Sequence, residues 1–326
     1  MRARLVIGGP SISKSVSHLS GAVGTITGAS GFLGRAVLRA LPADVTVFAT
    51  YRDSADFFEW SSTLSADVRP VKVDLASQRL PQEIISTELD WTLSLAARVS
   101  TAASREDPVG ELLHVAGPAV NAIAGLRTRH LVHVSSGSVY ETLAGDLSPD
   151  RQLSPLLPYA VAKLAGELLV ASYAETMPWI VRFFGAYGPG EPKFKVTRRM
   201  VEAFSRGART FRLSGDGTNH IDPMHVEDAA AALLALCTSG HAPRTIDLCQ
   251  GEAPTMAAYA ELIYQAAHPD PVTSPLRLEF AGHTHEQMRG RASPAAADAM
   301  IGLERRSLRQ GMGEYARWLT LQAADY

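Results

Sequence analysis

One stretch constrains this chain more than any other. Gly28-Ala29-Ser30-Gly31-Phe32-Leu33-Gly34 stands between an apolar run at 22–27 and an amphipathic run at 35–41 that Pro42 closes. Glycine at every third position lets a strand turn tightly into a helix. The helix then opens with unbonded N–H groups and the positive end of its dipole, which suits a pyrophosphate. The chain keeps that rhythm. Strand-like runs at 45–50, 71–73, 91–95, 131–134 and 179–184 alternate with helical stretches, the longest at 109–126 and 159–175. Alternating buried-type strands and helices predict an α/β fold with a doubly wound parallel sheet.

After 184 the rhythm loosens. Glycines and prolines cluster at 185–192, followed by a helix at 196–206, a strand at 210–213 and a turn at Gly215-Asp216-Gly217. A helix from 226 and strands at 245–248 and 276–280 complete a smaller C-terminal α/β lobe. Such a lobe sits over the carboxyl ends of the strands, where open α/β sheets bind ligands. The division read here is a polar, Ser-rich leader at 1–21, a dinucleotide-binding domain at 22–184 and a substrate lobe at 185–326, with an interleaved boundary.

Composition removes whole classes. Lys and Arg number 31 and Asp and Glu 33, so net charge is 31 − 33 = −2. Nucleic acid and anionic membranes are not expected as partners. No apolar run approaches a membrane span. A hydrophobic content of 46% excludes disorder. Cys237 and Cys249 are the only cysteines, too few for a disulfide framework, so a reducing, cytoplasmic setting is expected. Lysine occurs only at 14, 72, 163, 193 and 195, which makes each one worth examining.

The second strand bears on cofactor type. An acid ending this strand binds the ribose 2′-hydroxyl of NAD. Here Ala49 and Thr50 take its place and Arg52 follows, while Arg35 succeeds the third glycine. Guanidinium groups hold a 2′-phosphate bidentately, which favours NADP over NAD. The competing reading leaves both arginines on the surface and gives the ribose to Asp53. Asp74-Leu75, closing the third strand, flanks the adenine or merely caps the strand.

Tyr159 and Lys163 stand at i and i+4 on one helical face. A free phenol ionises near pH ~10 and is a poor acid–base catalyst at neutrality. An adjacent ammonium, with the positive charge of a nicotinamide, favours phenolate. Ser136, just past the fifth strand, is the candidate donor to a substrate oxygen, with Ser135 and Ser138 beside it. Each feature recurs by chance; their order along one chain is far more specific.

In that order the sequence resembles the extended short-chain dehydrogenase/reductases, the NAD(P)-dependent epimerase/dehydratase group. The resemblance rests on Thr27–Gly34, Leu95-Ala96-Ala97, Val134-Ser135-Ser136-Gly137-Ser138-Val139-Tyr140, Tyr159 with Lys163, Arg182, and Tyr187-Gly188-Pro189-Gly190. Gly215-Asp216-Gly217 and His225-Val226-Glu227-Asp228 continue it over roughly 22–320. It implies a Rossmann-type domain, with Tyr159 as general acid/base, Lys163 as its modulator and ribose ligand, and Ser136 as substrate-oxygen donor. It places Ser30, Phe32, Leu33, Ala96, Ala97 and Phe184 beside the cofactor. His114, Ser138, Lys193, Lys195 and Asp222 fall on the substrate side.

The departures are informative. His114 stands where the family commonly has Asn, as relay or as a polar helix residue. Gly137-Ser138 replace the acidic pair of sugar dehydratases, against dehydration. Gly185-Ala186 and Ile221 stand at positions that commonly bind a nucleotide-sugar diphosphate. Lys193, Lys195, Arg198 and Arg199 form a basic cluster beside the expected cleft, as phosphate ligands or as a solvated face. His220, Asp222 and His225 are read as lobe packing rather than a metal site, and His283-Thr284-His285-Glu286 as a polar loop.

The resemblance thus implies an NADP-dependent ketoreductase whose substrate is a nucleotide-linked keto-sugar. The alternative is a nucleotide-sugar epimerase that retains its cofactor; a lower alternative is a non-catalytic cofactor sensor. Family members pair the helices at 109–126 and 159–175, so a homodimer is expected.

Overall fold

The computed structural model describes residues 16–98, 106–268, 275–282 and 288–324. Its strands are β1 (Val23–Thr27), β2 (Thr46–Tyr51), β3 (Asp67–Lys72), β4 (Leu89–Ser94), β5 (Thr128–Val134), β6 (Ala144–Leu147), β7 (Pro178–Phe183), β8 (Ala186–Tyr187), β9 (Thr210–Leu213), β10 (Met224–His225), β11 (Thr245–Leu248), β12 (Arg277–Phe280) and β13 (Arg289–Ala292). Seven of them form one parallel sheet in the order β11-β7-β5-β4-β1-β2-β3. The order reverses between β1 and β4, which opens a crevice at their carboxyl ends. The doubly wound parallel sheet expected from the sequence is the fold.

The central strands are buried on both faces, as in Trp91, Leu93, Val132 and Val181. Helices cover both sides. Helix Phe32–Ala40 turns Val37 and Leu38 inward, against helix Val226–Leu236. Each such fully buried side chain contributes about 1.5–3 kcal/mol. Helix Val226–Leu236 and β11 belong in sequence to the later half yet pack on the first sheet. At the other end of the chain, Val16 and Leu19 are buried in the same core. Residues 1–15 of the leader lie outside the described residues, as does the His283–Glu286 loop.

One strand starts earlier than its apolar pattern suggests. The expected run at 71–73 is the tail of β3, Asp67–Lys72, which contains Pro70. β3 is the edge strand, where a residue without an N–H is tolerated. Its half-exposed side chains hide it from a search for buried runs.

A second core lies in the later half of the chain. Helices Val196–Ser205, Met256–Ala267 and Leu308–Ala324 bring Met200, Phe204, Tyr259, Tyr264 and Tyr315 together. Among the described residues no helix is long and apolar enough to cross a membrane.

Candidate functional site

The two cores face each other across a cleft of about 680 Å³ at the carboxyl ends of β1, β4 and β5. The glycine turn forms one wall. Gly28 has φ +67°, and a Cβ there would meet Ala96 Cα at 2.9 Å. Gly31 caps helix Phe32–Ala40 without any side-chain hydrogen bond. The first-turn N–H groups beside Ser30, Phe32 and Leu33 are therefore free to meet a ligand in the cleft. This backbone cradle, with no side chain to fill it, fits a dinucleotide pyrophosphate.

Ser136, Tyr159 and Lys163 line the floor of the same cleft. Ser136 ends the segment after β5 and caps the 3-10 turn Gly137–Tyr140. Its Oγ accepts from Ser138 N at 3.1 Å and Ser138 Oγ at 2.9 Å. With two bonds accepted, Ser136 has its own proton left to donate, and the Tyr159 phenol is hydrogen-bonded to it. Burial pushes Tyr159 up to about 12, against the lowering effect of Ser136, with the Glu111 carboxylate adding a smaller upward push. Lys163 is fully enclosed; its Nζ donates to Val134 O at 3.1 Å. Burial pushes it down to about 8, and Glu167 opposes that. The sequence reading had the ammonium and nicotinamide drawing the phenol down. In the chain alone, desolvation prevails and the phenol keeps its proton.

Other candidates lie apart from this floor. Ala97 lines the cleft, and Ala96 packs behind Gly28. Arg52 and Asp74 share a separate recess of about 420 Å³ with Asp53, Lys72 and Gln78. There Arg52 Nε meets Asp53 at 2.7 Å. The Asp74 carboxylate accepts from Ala76 N, closing its own turn, and Leu75 is buried. Arg35 is not in this recess. Its guanidinium donates to Ser30 O, Ser54 Oγ and Asp56 at 2.8–3.0 Å and lies 4.5 Å over the Trp60 ring. It therefore braces the glycine turn. Lys72 is the cation that the sequence reading left unassigned, because an exposed edge-strand lysine carries no local signal.

Phe184, expected beside the cofactor, also lines the cleft, and on the substrate side Ser138, Lys195 and Asp222 reach it. Asp222 spends its carboxylate on Gly251 N and Ala253 N at 2.9–3.0 Å, pinning a loop. His220 and His225 likewise use Nδ1 on backbone, at Ala253 O and Glu227 N. Lys195 sits 5.7 Å over the Phe194 ring, and Lys193 is exposed outside the cleft. His114 is not gathered in. It lies on helix Pro108–Ile123, its carbonyl accepting from Arg98 N. Ile221, Ala253, Met288 and Ala292 supply an apolar wall that sequence spacing gave no means of assembling.

Below the floor runs a buried polar chain. Ser135 Oγ donates to Glu167 Oε1 at 2.5 Å. Arg182 grips the same carboxylate through Nε at 3.1 Å and Nη2 at 2.9 Å. Arg182 Nη1 donates to the Tyr140 hydroxyl at 2.8 Å, which donates to Asp247 at 2.9 Å.

The model of the NAD dependent epimerase/dehydratase family matches residues 25–249. A GDP-6-deoxy-D-mannose reductase of Pseudomonas aeruginosa is 27% identical over 287 residues, 83% of this chain and 88% of that protein. A dTDP-glucose 4,6-dehydratase of Streptomyces griseus is 28% identical over 264 residues, 75% of this chain and 78% of the other. In fold, the chain is similar to a UDP-N-acetylglucosamine 4-epimerase from Methanobrevibacter ruminantium solved with UDP-N-acetylmuramic acid. The TM-score is 0.79 at 20% identity, over 93% of this chain and 99% of that one.

Proposed function

The chain belongs to the NAD dependent epimerase/dehydratase family, a family of enzymes, and from that premise we propose that it is an NADP-dependent ketoreductase acting on a nucleotide-linked keto-sugar. The observation that carries this reading is the recess that brings Arg52 and Lys72 together, two cations suited to the 2′-phosphate of NADP. On the cleft floor, Tyr159 is the proton donor that a carbonyl oxygen needs. The cradle at Gly28–Gly34 would hold the pyrophosphate, Lys163 the nicotinamide ribose, and Arg52 with Lys72 the 2′-phosphate.

When bound, the cofactor supplies the hydride. The chain supplies the rest. The carbonyl oxygen accepts from Tyr159, which gives up its proton as negative charge develops there. The phenolate left behind accepts from Ser136, whose one proton is thereby committed to Tyr159 rather than to the substrate oxygen, and is stabilised by the Lys163 ammonium. Phe184 keeps water from the floor. Lys195 supplies a positive charge on the substrate side for a phosphate.

Asp53 in the Arg52 recess favours a second reading, an epimerase retaining NAD. One experiment separates the two: single turnovers with NADPH or NADH on a panel of GDP-, UDP- and dTDP-linked 4-keto-sugars. One NADP⁺ formed per alcohol supports the reductase. Interconversion of sugars without net cofactor consumption overturns it.

A further inference from the structure

We infer that Glu167 is a positioning residue for the reaction: it is the buried counter-charge that keeps Lys163 an ammonium and fixes the strand end that carries Ser136. This rests on the reading of Lys163 as a catalytic cation, but the residues themselves give the argument. Glu167 lies one turn beyond Lys163 on helix Pro158–Tyr173, and both are buried. Its carboxylate is held on one side by Ser135, the neighbour of Ser136, and on the other by Arg182. Through Tyr140 the chain of contacts ends at Asp247 on β11.

The charges in this enclosed set balance: Lys163 and Arg182 are positive, Glu167 and Asp247 negative. Removing the charge of Glu167 leaves one cation in excess in a desolvated space. Arg182 cannot relieve that excess, because a guanidinium does not give up its proton in a protein. Lys163 can, because burial already places it at about 8. Loss of Glu167 is therefore discharged at the lysine.

The other groups around this helix do not substitute for it. On β5, His133 faces Lys163 but is held neutral, pushed down to about 3 by burial and by Lys163 itself. On helix Pro108–Ile123, Glu111 is paired with Arg98, and His114 carries no negative charge. Tyr140 is pushed above its ordinary value by burial and Asp247, so it stays a phenol. Asp247 is itself pushed up to about 6 by burial and is spent on Tyr140.

The scarcity of lysine makes the test direct. Five lysines give five side-chain signals in protein labelled with ¹³C at lysine Cε, and Lys163→Met assigns one of them. The Lys163 signal should titrate near pH 8 in the parent chain. In Glu167→Gln, whose amide oxygen still accepts from Ser135, the midpoint should fall by about one to three units. NADPH affinity, read by fluorescence, should then begin to weaken at a pH lower by the same amount. Glu167→Asp should restore most of both. Asp247→Asn removes the distant anion with less disturbance and should shift the midpoint in the same direction by less. If either carboxylate is neutralised and the Lys163 midpoint stays in place, the counter-charge role is overturned. A midpoint that moves while NADPH affinity keeps its pH dependence leaves Glu167 only a structural ion pair and overturns its part in the reaction. The lysine signal needs no ligand, so failure of the ketoreductase reading alone appears as a shifted midpoint in a protein that binds no nicotinamide cofactor.

Discussion

Gly31 and Gly34 line the same cleft but should fail in different ways when each is replaced by alanine. A Cβ on Gly34 would lie 2.7 Å from Ala29 Cα, Ala29 O and Gly28 O. All three are backbone atoms, so relief requires the helix to move off the turn. Overpacking of this kind costs about 1–3 kcal/mol. With an unfolding entropy near 0.7 kcal/mol/K for 326 residues, that lowers Tm by about 1.5–4.5 °C. A Cβ on Gly31 meets only Gly28 O, at 3.3 Å, and its φ of −72° suits any residue. The added methyl instead stands at the uncapped helix start, where the pyrophosphate must approach. Gly31→Ala should keep its Tm within about 1 °C and lose at least tenfold in NADPH affinity, about 1.4 kcal/mol. Gly34→Ala should lose both. Melting curves with and without NADPH, and fluorescence titration of each variant, measure the four quantities. A Gly31→Ala protein that binds NADPH as well as the parent would refute the cradle, and a Gly34→Ala protein with parental Tm would refute the packing argument.

Four further outcomes are expected. Tyr159→Phe should reduce turnover by about 10²–10⁴-fold while NADPH still binds, as single-turnover rates and fluorescence would show; retained turnover removes the proton-donor role. Arg52→Ala should weaken NADPH more than NADH in paired titrations, and equal losses count against a 2′-phosphate contact in that recess. Glu191 is buried and pushed from 4.5 up to about 8, mainly by burial. Its contribution to stability is full below pH 4.5 and is lost as pH rises through 8, so Glu191→Gln should gain at least about 1 kcal/mol on the parent between pH 6 and 8.5; melts at the two pH values that run parallel for both proteins contradict this. Leu112, Leu113, Leu168 and Tyr173 are exposed on two adjacent helices, Pro108–Ile123 and Pro158–Tyr173, and should be covered by a second copy. Leu168→Glu should convert a dimer to a monomer by light scattering, and a parent that is already monomeric rejects the pairing.

What could be read from the sequence was whatever is local. The glycine turn, Ser136 and the Tyr159–Lys163 pair declare themselves by spacing within one or two turns of chain. Strands 210–213 and 245–248 were placed to the residue, because Thr-Phe-Arg-Leu and Thr-Ile-Asp-Leu alternate polar and apolar side chains between turn signals. The short helices Phe57–Ser61 and Gln82–Ile85 were not, since one turn of helix has no period to detect. Nor was the pairing of β6 with β13, whose Ala-Gly-Asp-Leu and Arg-Gly-Arg-Ala carry no apolar alternation and lie far apart in sequence. The site divides in the same way. Arg35 looked like a phosphate ligand because its partners, Asp56 and Trp60, are joined to it only by folding. The Glu167–Arg182–Tyr140–Asp247 set draws on four elements, and no single window of sequence contains it.

The return of β11 to the edge of the first sheet has a mechanical consequence. The chain leaves that sheet after β7, returns with helix Val226–Leu236 and β11, leaves again, and comes back once more with helix Ala295–Ile301, which packs on β11. A lobe hung from a single linker can swing in any direction. One tethered at several crossings can only rotate about the line that joins them. Ser136, Tyr159 and Lys163 all stand on the sheet side of that line, while Phe194 and Lys195 stand on the other. A rotation about that line would change how a substrate is admitted and gripped, and would leave the separation between phenol, serine and lysine untouched.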